Sequence, residues 1–137
     1  MRYFLFAVAL YTLIACSQPA RPMSGKDALP RLEERQWQLT ILNQQAITLS
    51  PKPYFLIKGT SVKGNGGCNS FTGNVRVDGP TIVFSKLISL LMACEGMEVE
   101  KGFMEVLRAT NGYRQNSDTL FLLRDQRLLA MLLGTKQ

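Results

Sequence analysis

The sequence predicts an α+β fold, in which a small antiparallel β-barrel or strongly curved sheet packs against one α-helix. Short apolar runs alternate with turn residues from residue 35 onward, which is typical of about seven to eight consecutive short strands. One late stretch, residues 97–110, has helical rather than strand periodicity. Because helices and strands do not alternate along the chain, a parallel sheet is disfavoured.

The predicted strands follow from alternation and from the residues that bound them. Residues 36–41 place Trp37, Leu39 and Ile41 on one face, the pattern of a half-buried strand. Asn43-Gln44-Gln45 is a predicted hairpin turn, and Asp78-Gly79-Pro80 gives the strongest hairpin signal. The remaining predicted strands are residues 46–49, 54–58, 61–64, 74–77, 81–84, 119–123 and 127–132.

The predicted helix is amphipathic. It places an apolar stripe on one face and charged residues on the others, and Asn111-Gly112 supplies its C-terminal stop. Of the nearby carboxylates, we expect Glu98 and Glu105 to be solvated, and Glu100 to be a helix-surface or pairing carboxylate. The stripe consists of Val99, Phe103, Val106, Leu107 and Thr110.

Residues 1–15 have the pattern of a signal peptide. Arg2 precedes an apolar run, residues 3–14, whose helix would reach only ~18 Å against ~30 Å of bilayer hydrocarbon. The run ends in Leu13-Ile14-Ala15-Cys16, which resembles the lipobox of bacterial lipoproteins. The resemblance implies cleavage before Cys16, acylation of Cys16 and anchoring to a membrane; a secretory signal with a chance cysteine is the alternative.

The segment after Cys16 is predicted to separate the anchor from the domain. Residues 16–34 are polar, contain three prolines and lack apolar periodicity, so we interpret them as a flexible tether before a domain at 35–137. Residue 17 is Ser rather than Asp. By resemblance to sorting in enteric-type bacteria, this favours the periplasmic face of the outer membrane over the inner membrane.

Composition excludes several function classes. The formal net charge is +6, but the basic residues are scattered and form no run, so a nucleic-acid site is not predicted. A weak preference for anionic lipid head groups stays open. The chain has no histidine, which removes Ser-His-Asp and Cys-His sites and the commonest metal ligand. We therefore predict no catalytic residues, no cofactor and no metal.

Cys68 and Cys94 are predicted to form a structural disulfide. With Cys16 lipidated they are an even pair in an oxidising compartment. A redox-active pair lacks the CxxC spacing that lowers a thiol pKa, and two sulfurs make a poor zinc site. The glycine-dense residues 64–73 around Cys68 indicate a tight cross-linked turn. A phosphate cradle is the alternative reading, but no Lys-Ser/Thr follows.

Three further motifs accompany the glycine-dense segment: Trp-x-Leu at residues 37–39, Met-Ala-Cys at 92–94, and Met-x-x-Glu-x-x-Phe-x-x-x-Leu at 97–107. In this combination the motifs resemble the META domain family of HslJ-like, heat-inducible bacterial lipoproteins. The resemblance covers about residues 36–132 and departs from the family pattern at Leu90 and Glu95. It implies a small antiparallel barrel with a packed helix, and it implies structural roles for the matching residues. They are Trp37, Gly64, Gly67, Cys68, Asn69, Phe71, Gly73, Met92, Cys94, Glu100 and Phe103.

The function that we expect from the sequence is non-enzymatic. The resemblance implies an envelope lipoprotein associated with heat stress and antibiotic tolerance, and we expect a monomer that binds an envelope protein or stabilises outer-membrane assembly. A lipocalin-like binder of an acyl chain is the first alternative, because Leu90, Leu91, Met92 and Met104 suit either a packed core or a ligand cavity. Two further alternatives are that the protein inhibits a secreted hydrolase or that it is itself an enzyme. Similarity to the pilotins of secretins is an analogy of fold alone.

Overall fold

The computed structural model describes residues 32–136. The predicted signal peptide and Cys16 lie outside the described residues, as does most of the predicted tether. Nine strand segments and one long helix follow in order: β1 Arg35–Leu42, β2 Gln45–Ala46, β3 Tyr54–Lys58, β4 Ser61–Asn65, β5 Ser70–Asp78, β6 Thr81–Ser89, α1 Met97–Ala109, β7 Gly112–Asn116, β8 Thr119–Arg124 and β9 Arg127–Lys136.

One antiparallel sheet contains all of these strands. Its order is β6-β5-β4-β3-β1-β9-β8-β7, with the short β2 paired to the end of β1. The sheet curls until its two edge strands approach each other, and the Tyr113 amide of β7 donates to the Pro80 carbonyl beside β6 at 2.9 Å. This closure gives the curved antiparallel sheet with one packed helix that the sequence predicts. It also buries Tyr113, and burial raises the pKa of the Tyr113 phenol above its usual 10.0.

A register shift between Thr72 and Asn74 adds to the curl of the sheet. Lys86 on the facing strand β6 adopts a positive φ of 50° at this level, and such irregularities bend a strand and increase its twist. The bend divides β6 into two halves. The first half carries Ile82 and Phe84 into the core, and the second leads to Ser89 beside α1.

Helix α1 covers the open side of the curled sheet. Phe103, Val106 and Leu107 are buried, as the apolar periodicity predicts, and Met104 joins them. Ring centroids of Phe103 lie 6.2 Å from Phe71 and 6.4 Å from Phe55, within the range of favourable aromatic pairs. The space inside the sheet is therefore occupied by the helix face and by aromatic side chains.

The packed domain begins before residue 35. Leu32 is fully buried, and its carbonyl accepts a 2.9 Å hydrogen bond from Trp37 Nε1. Glu33 Oε1 accepts from the Gly59 amide at 2.6 Å, in the turn between β3 and β4. These two contacts fix the last residues of the predicted tether to the sheet. The Leu32 carbonyl supplies the acceptor that the buried Trp37 indole needs.

The strand predictions differ from the structure in several places. The predicted strands at 74–77, 81–84 and 127–132 are longer in the structure, where they become β5, β6 and β9. The predicted strand at residues 46–49 is reduced to Gln45–Ala46, because β3 takes the same edge of β1 from Gln36 to Gln38. Strand β7 was not predicted from the sequence. Its residues Gly112–Asn116 are mostly polar, and only Tyr113 among them is buried, so they have no apolar alternation.

Candidate functional site

The glycine-dense segment forms the hairpin turn between β4 and β5. Asn65 and Ser70 are paired across the hairpin, and the Gly66 amide donates to the Asn69 carbonyl at 2.9 Å. The Gly67 amide donates to Asn65 Oδ1 at 2.7 Å, and Gly67 has a φ of 117°, a conformation that favours glycine. The predicted tight turn is therefore present, with its backbone polar groups directed to specific partners.

The carboxylate of Glu100 lies directly beneath this turn. It is 6% exposed and projects from the first turns of α1. Oε2 accepts from the amides of Asn69 at 2.6 Å and Cys68 at 3.2 Å. Oε1 accepts from Asn69 Nδ2 at 2.9 Å and from Ser89 Oγ at 3.4 Å. Charge-assisted bonds of this kind are stronger than neutral ones.

Glu100 is therefore a pairing carboxylate, and the expectation of a helix-surface position is wrong. Its partners are backbone amides, a side-chain amide and a hydroxyl; neither ion pair of residues 32–136 involves it. Both carboxylate oxygens are occupied by donors within the fold. A carboxylate used in this way fixes a turn to a helix and has few lone pairs left for a substrate.

Asn69 connects the same turn to the loop after β6. Its side chain is 1% exposed. Nδ2 donates to the Met92 carbonyl and Oδ1 accepts from the Met92 amide, both at 3.0 Å. The predicted Cys68–Cys94 disulfide is present, with Cα atoms 6.1 Å apart. We call these five residues, Cys68, Asn69, Met92, Cys94 and Glu100, the latch.

The latch brings together residues that are far apart in the sequence. It joins the β4–β5 turn, the loop before α1 and the first turns of α1, so that a disulfide and a hydrogen-bond network act on the same segments. Gly64, Gly67, Phe71 and Gly73 belong to the hairpin that carries it. Trp37 and Phe103 lie in the core.

Two residues of this site were absent from the candidates drawn from the sequence. Ser89 donates to Glu100 from the end of β6, and no local pattern marks it. Gly66 makes room for the Glu100 side chain, since a Cβ there would lie 2.6 Å from Glu100 Cγ. The sequence signal for Gly66 was the Gly-x-Gly-Gly segment at residues 64–67, which contains more glycines than the backbone conformation of the turn requires.

Replacing Gly66 with alanine is expected to lower the free energy of unfolding by about 1–3 kcal/mol, because the new methyl group overlaps Glu100. Gly112→Ala is the matched control. Its Cβ would meet only the Pro80 carbonyl oxygen, at 3.5 Å, and Leu123 Cβ, at 3.9 Å, and neither glycine adopts a positive φ. Urea unfolding of the two variants provides the measurement. Equal stabilities would contradict the close packing of Gly66 on Glu100.

The loop that the latch holds is exposed and apolar. Leu90, Leu91 and Met92 are 59%, 94% and 59% exposed, whereas the sequence left them equally suited to a core or a ligand cavity. They lie in neither, because the Asn69–Met92 hydrogen bonds hold the loop backbone at the rim of the sheet. Met104 is in the core. We call residues 90–92 the apolar tip.

Residues 32–136 contain no cluster of three or more His, Cys, Asp or Glu side chains that could hold a metal ion. No helix within that range is both long and apolar enough to span a bilayer.

Three solved structures have a similar fold. The chain is similar to an NMR structure of a protein from Burkholderia xenovorans, with a TM-score of 0.64 and 15% identity over 93% of this chain and 100% of that one. A second NMR structure of a protein gives a TM-score of 0.63 and 18% identity over 76% and 92%. A crystal structure of a DUF4847 family protein from Bacteroides vulgatus gives 0.57 and 13% over 77% and 96%.

These likenesses establish the fold alone. No curated protein matches the chain. The model of the META domain matches residues 30–135. That range begins just before the buried Leu32 and ends within β9, so it coincides with the packed unit that the structure describes. The chain therefore belongs to the META domain family.

Proposed function

We propose that this protein is an exported bacterial lipoprotein, lipidated on Cys16, whose META domain acts without catalysis as a binding module at an envelope membrane. The observation that carries the proposal is the apolar run that ends in Leu13-Ile14-Ala15-Cys16. The run is too short to span a bilayer as a helix, and the acylated cysteine would hold the domain at the membrane surface. The outer membrane is the preferred location, since Ser17 follows the cysteine.

The structure supports binding rather than catalysis. Glu100 is the only buried carboxylate within residues 32–136, and its oxygens already accept four hydrogen bonds from the fold. A general acid or base needs a free path to the substrate proton. The remaining distinctive features, the apolar tip and the basic side chains, lie on the surface.

The same argument favours a surface site over an interior one. A lipocalin-like binder needs space inside its sheet, but here Trp37, Phe55, Phe71 and Phe103 are fully buried or nearly so in that position. We therefore place the proposed contact, with a membrane or an envelope protein, on the surface of the domain. A role in the envelope stress response belongs to the proposal through the resemblance to HslJ-like lipoproteins alone.

The intact mass of the protein purified from its own envelope tests the proposal. We expect a chain that begins at Cys16, having lost residues 1–15, and that carries the added mass of a diacylglyceryl group and an amide-linked acyl chain. The Cys16→Ser variant is the control and should keep residues 1–15 without any lipid mass. A wild-type protein cut at another position, with no acyl mass, would overturn the lipoprotein assignment.

A further inference from the structure

The exposed apolar side chains of the domain are concentrated in one place. Ile88 is 71% exposed and lies two residues before the apolar tip, with Ser89 between them. The remaining large exposed hydrophobic residue within 32–136, Leu133, is 45% exposed and lies on β9, in the other half of the sheet. Single exposed apolar residues are common on soluble proteins, but a contiguous group marks an interaction surface.

The apolar tip is held in its exposed position. Its backbone is fixed by the two Asn69–Met92 hydrogen bonds and by a bond from the Leu90 amide to the Ser70 carbonyl at 3.3 Å. The disulfide at Cys94 fixes the next turn of the chain. Since these bonds prevent the loop from folding back onto the domain, the exposure of Leu91 is imposed by the latch.

A basic groove continues the same surface. A hollow of about 510 Å³ on the outer face of β3 to β6 runs between Leu56 and Ile88. Lys58, Lys63 and Lys86 border it, and the two ion pairs found within residues 32–136 involve none of these lysines. Glu33 shares a second hollow with Lys58 and Lys63, but its Oε1 is bonded to the Gly59 amide. Apolar side chains beside lysines that form no ion pair within the described residues are complementary to a surface with negative head groups and an apolar interior.

We propose that this face docks on an anionic phospholipid bilayer: the apolar tip enters the boundary between head groups and acyl chains, and the three lysines contact lipid phosphates. The inference rests on the proposed function, because the anchor determines which surface the domain meets. The exposed Glu95 lies on the return of the loop, so the preference for anionic lipid comes from the lysines.

The attachment point of the anchor agrees with this orientation. Glu33 is bonded to the Gly59 amide and borders a second hollow together with Leu56, Lys58 and Lys63. The chain from Cys16 thus joins the domain beside the basic groove. Sixteen residue steps (32 − 16) separate Cys16 from Leu32 and extend to at most ~55 Å. Confinement this close to the bilayer raises the effective concentration of lipid, so a weak docking surface suffices.

Quenching of tryptophan by brominated phospholipid tests the docking face. Leu91→Trp and Leu133→Trp place an indole at two exposed leucines in different halves of the sheet. Trp37, the only native tryptophan, is fully buried and gives a constant background. The full-length lipidated variants are reconstituted in vesicles of phosphatidylcholine with or without phosphatidylglycerol, after their urea midpoints have been matched to the wild type.

In the anionic vesicles we expect Leu91→Trp to show blue-shifted emission and loss of intensity to the bromolipid, as for a group about 5–10 Å below the head groups. Leu133→Trp should show neither. Adding Lys58→Gln, Lys63→Gln and Lys86→Gln to Leu91→Trp should reduce the loss to the level seen in phosphatidylcholine alone. An indole at 91 that is as solvated as the one at 133 in both vesicles would overturn the proposal.

Other occupants of the face give different results. A second copy would produce a blue shift that depends on protein density and is insensitive to bromolipid, and a protein partner would produce it only when envelope extract is added. Either result would overturn the lipid proposal. A protein without acyl mass would instead refute the proposed function. The docking face would still be decided by bromolipid quenching of Leu91→Trp, measured on protein that floats together with the vesicles.

Discussion

Replacing Glu100 with alanine is expected to lower the free energy of unfolding by about 3–5 kcal/mol, the largest effect that we predict for a single side chain outside the hydrophobic core. The substitution removes both acceptor oxygens from beneath the β4–β5 turn. The amides of Cys68 and Asn69 would then lose their acceptor, and Asn69 Nδ2 would keep its bond to the Met92 carbonyl but lose the one to Glu100. Urea unfolding at neutral pH gives the measurement.

The cost arises from donors left without a partner. Asn69 is almost completely buried, so water cannot easily replace the carboxylate at its amide. Losing a partner in this way costs the full desolvation penalty of each donor, which exceeds the net gain from forming an ordinary hydrogen bond. Glu100→Gln should be intermediate, because its amide keeps one acceptor oxygen and puts an NH₂ group in place of the other.

Glu105→Gln is the matched control on the same helix. Glu105 is exposed and forms no ion pair with another residue of the 32–136 range. Neutralising it should change the free energy of unfolding by no more than about 0.5 kcal/mol. If Glu100→Ala were as mild as this control, the hydrogen bonds to Glu100 would contribute little to stability, and the latch would depend on its disulfide alone.

The contacts of Glu100 could not be predicted from the sequence, although the helix that carries it could. Periodicity placed residues 97–110 in a helix and identified Phe103, Val106 and Leu107 of its buried face, but not Glu100 or Met104. It could not show that Glu100 would meet the amide of Asn69, which is 31 positions earlier in the chain. That contact depends on how the hairpin, the bend in β6 and the helix are arranged in space, and no local pattern encodes this arrangement.

Turns and the disulfide were predictable because their signals are local or chemical. The predicted turn at Asn43-Gln44 has positive φ at both residues, and Gly79 in the predicted Asp78 turn has one as well. Cys68 and Cys94, the two cysteines left once Cys16 is assigned to the anchor, are bonded to each other.

The position of the apolar tip could not be predicted from the sequence. Leu90, Leu91 and Met92 have core composition, and they remain outside because long-range bonds to Asn69 and Ser70 fix the loop backbone at the rim of the sheet.

Removal of the disulfide is expected to lower the free energy of unfolding by about 3–4 kcal/mol, because the bond closes a long loop in the unfolded chain. The bonded cysteines are 26 positions apart. Cys68→Ser, Cys94→Ser and the double variant should lose the same amount, since each lacks the same bond. Treatment of the wild type with dithiothreitol should reproduce the loss. Single-variant losses that add up in the double variant would contradict a shared bond.

A thermodynamic cycle between the disulfide and Glu100 separates two views of the latch. If the disulfide acts only on the unfolded chain, the losses from Cys94→Ser and Glu100→Ala add. If it also holds the turn against Glu100 in the folded protein, the turn is already loosened in Cys94→Ser, and Glu100→Ala then costs less. We expect the second result, because the Cys68 amide itself donates to Glu100. The apolar tip depends on the same turn, so Cys94→Ser should also weaken bromolipid quenching of Leu91→Trp.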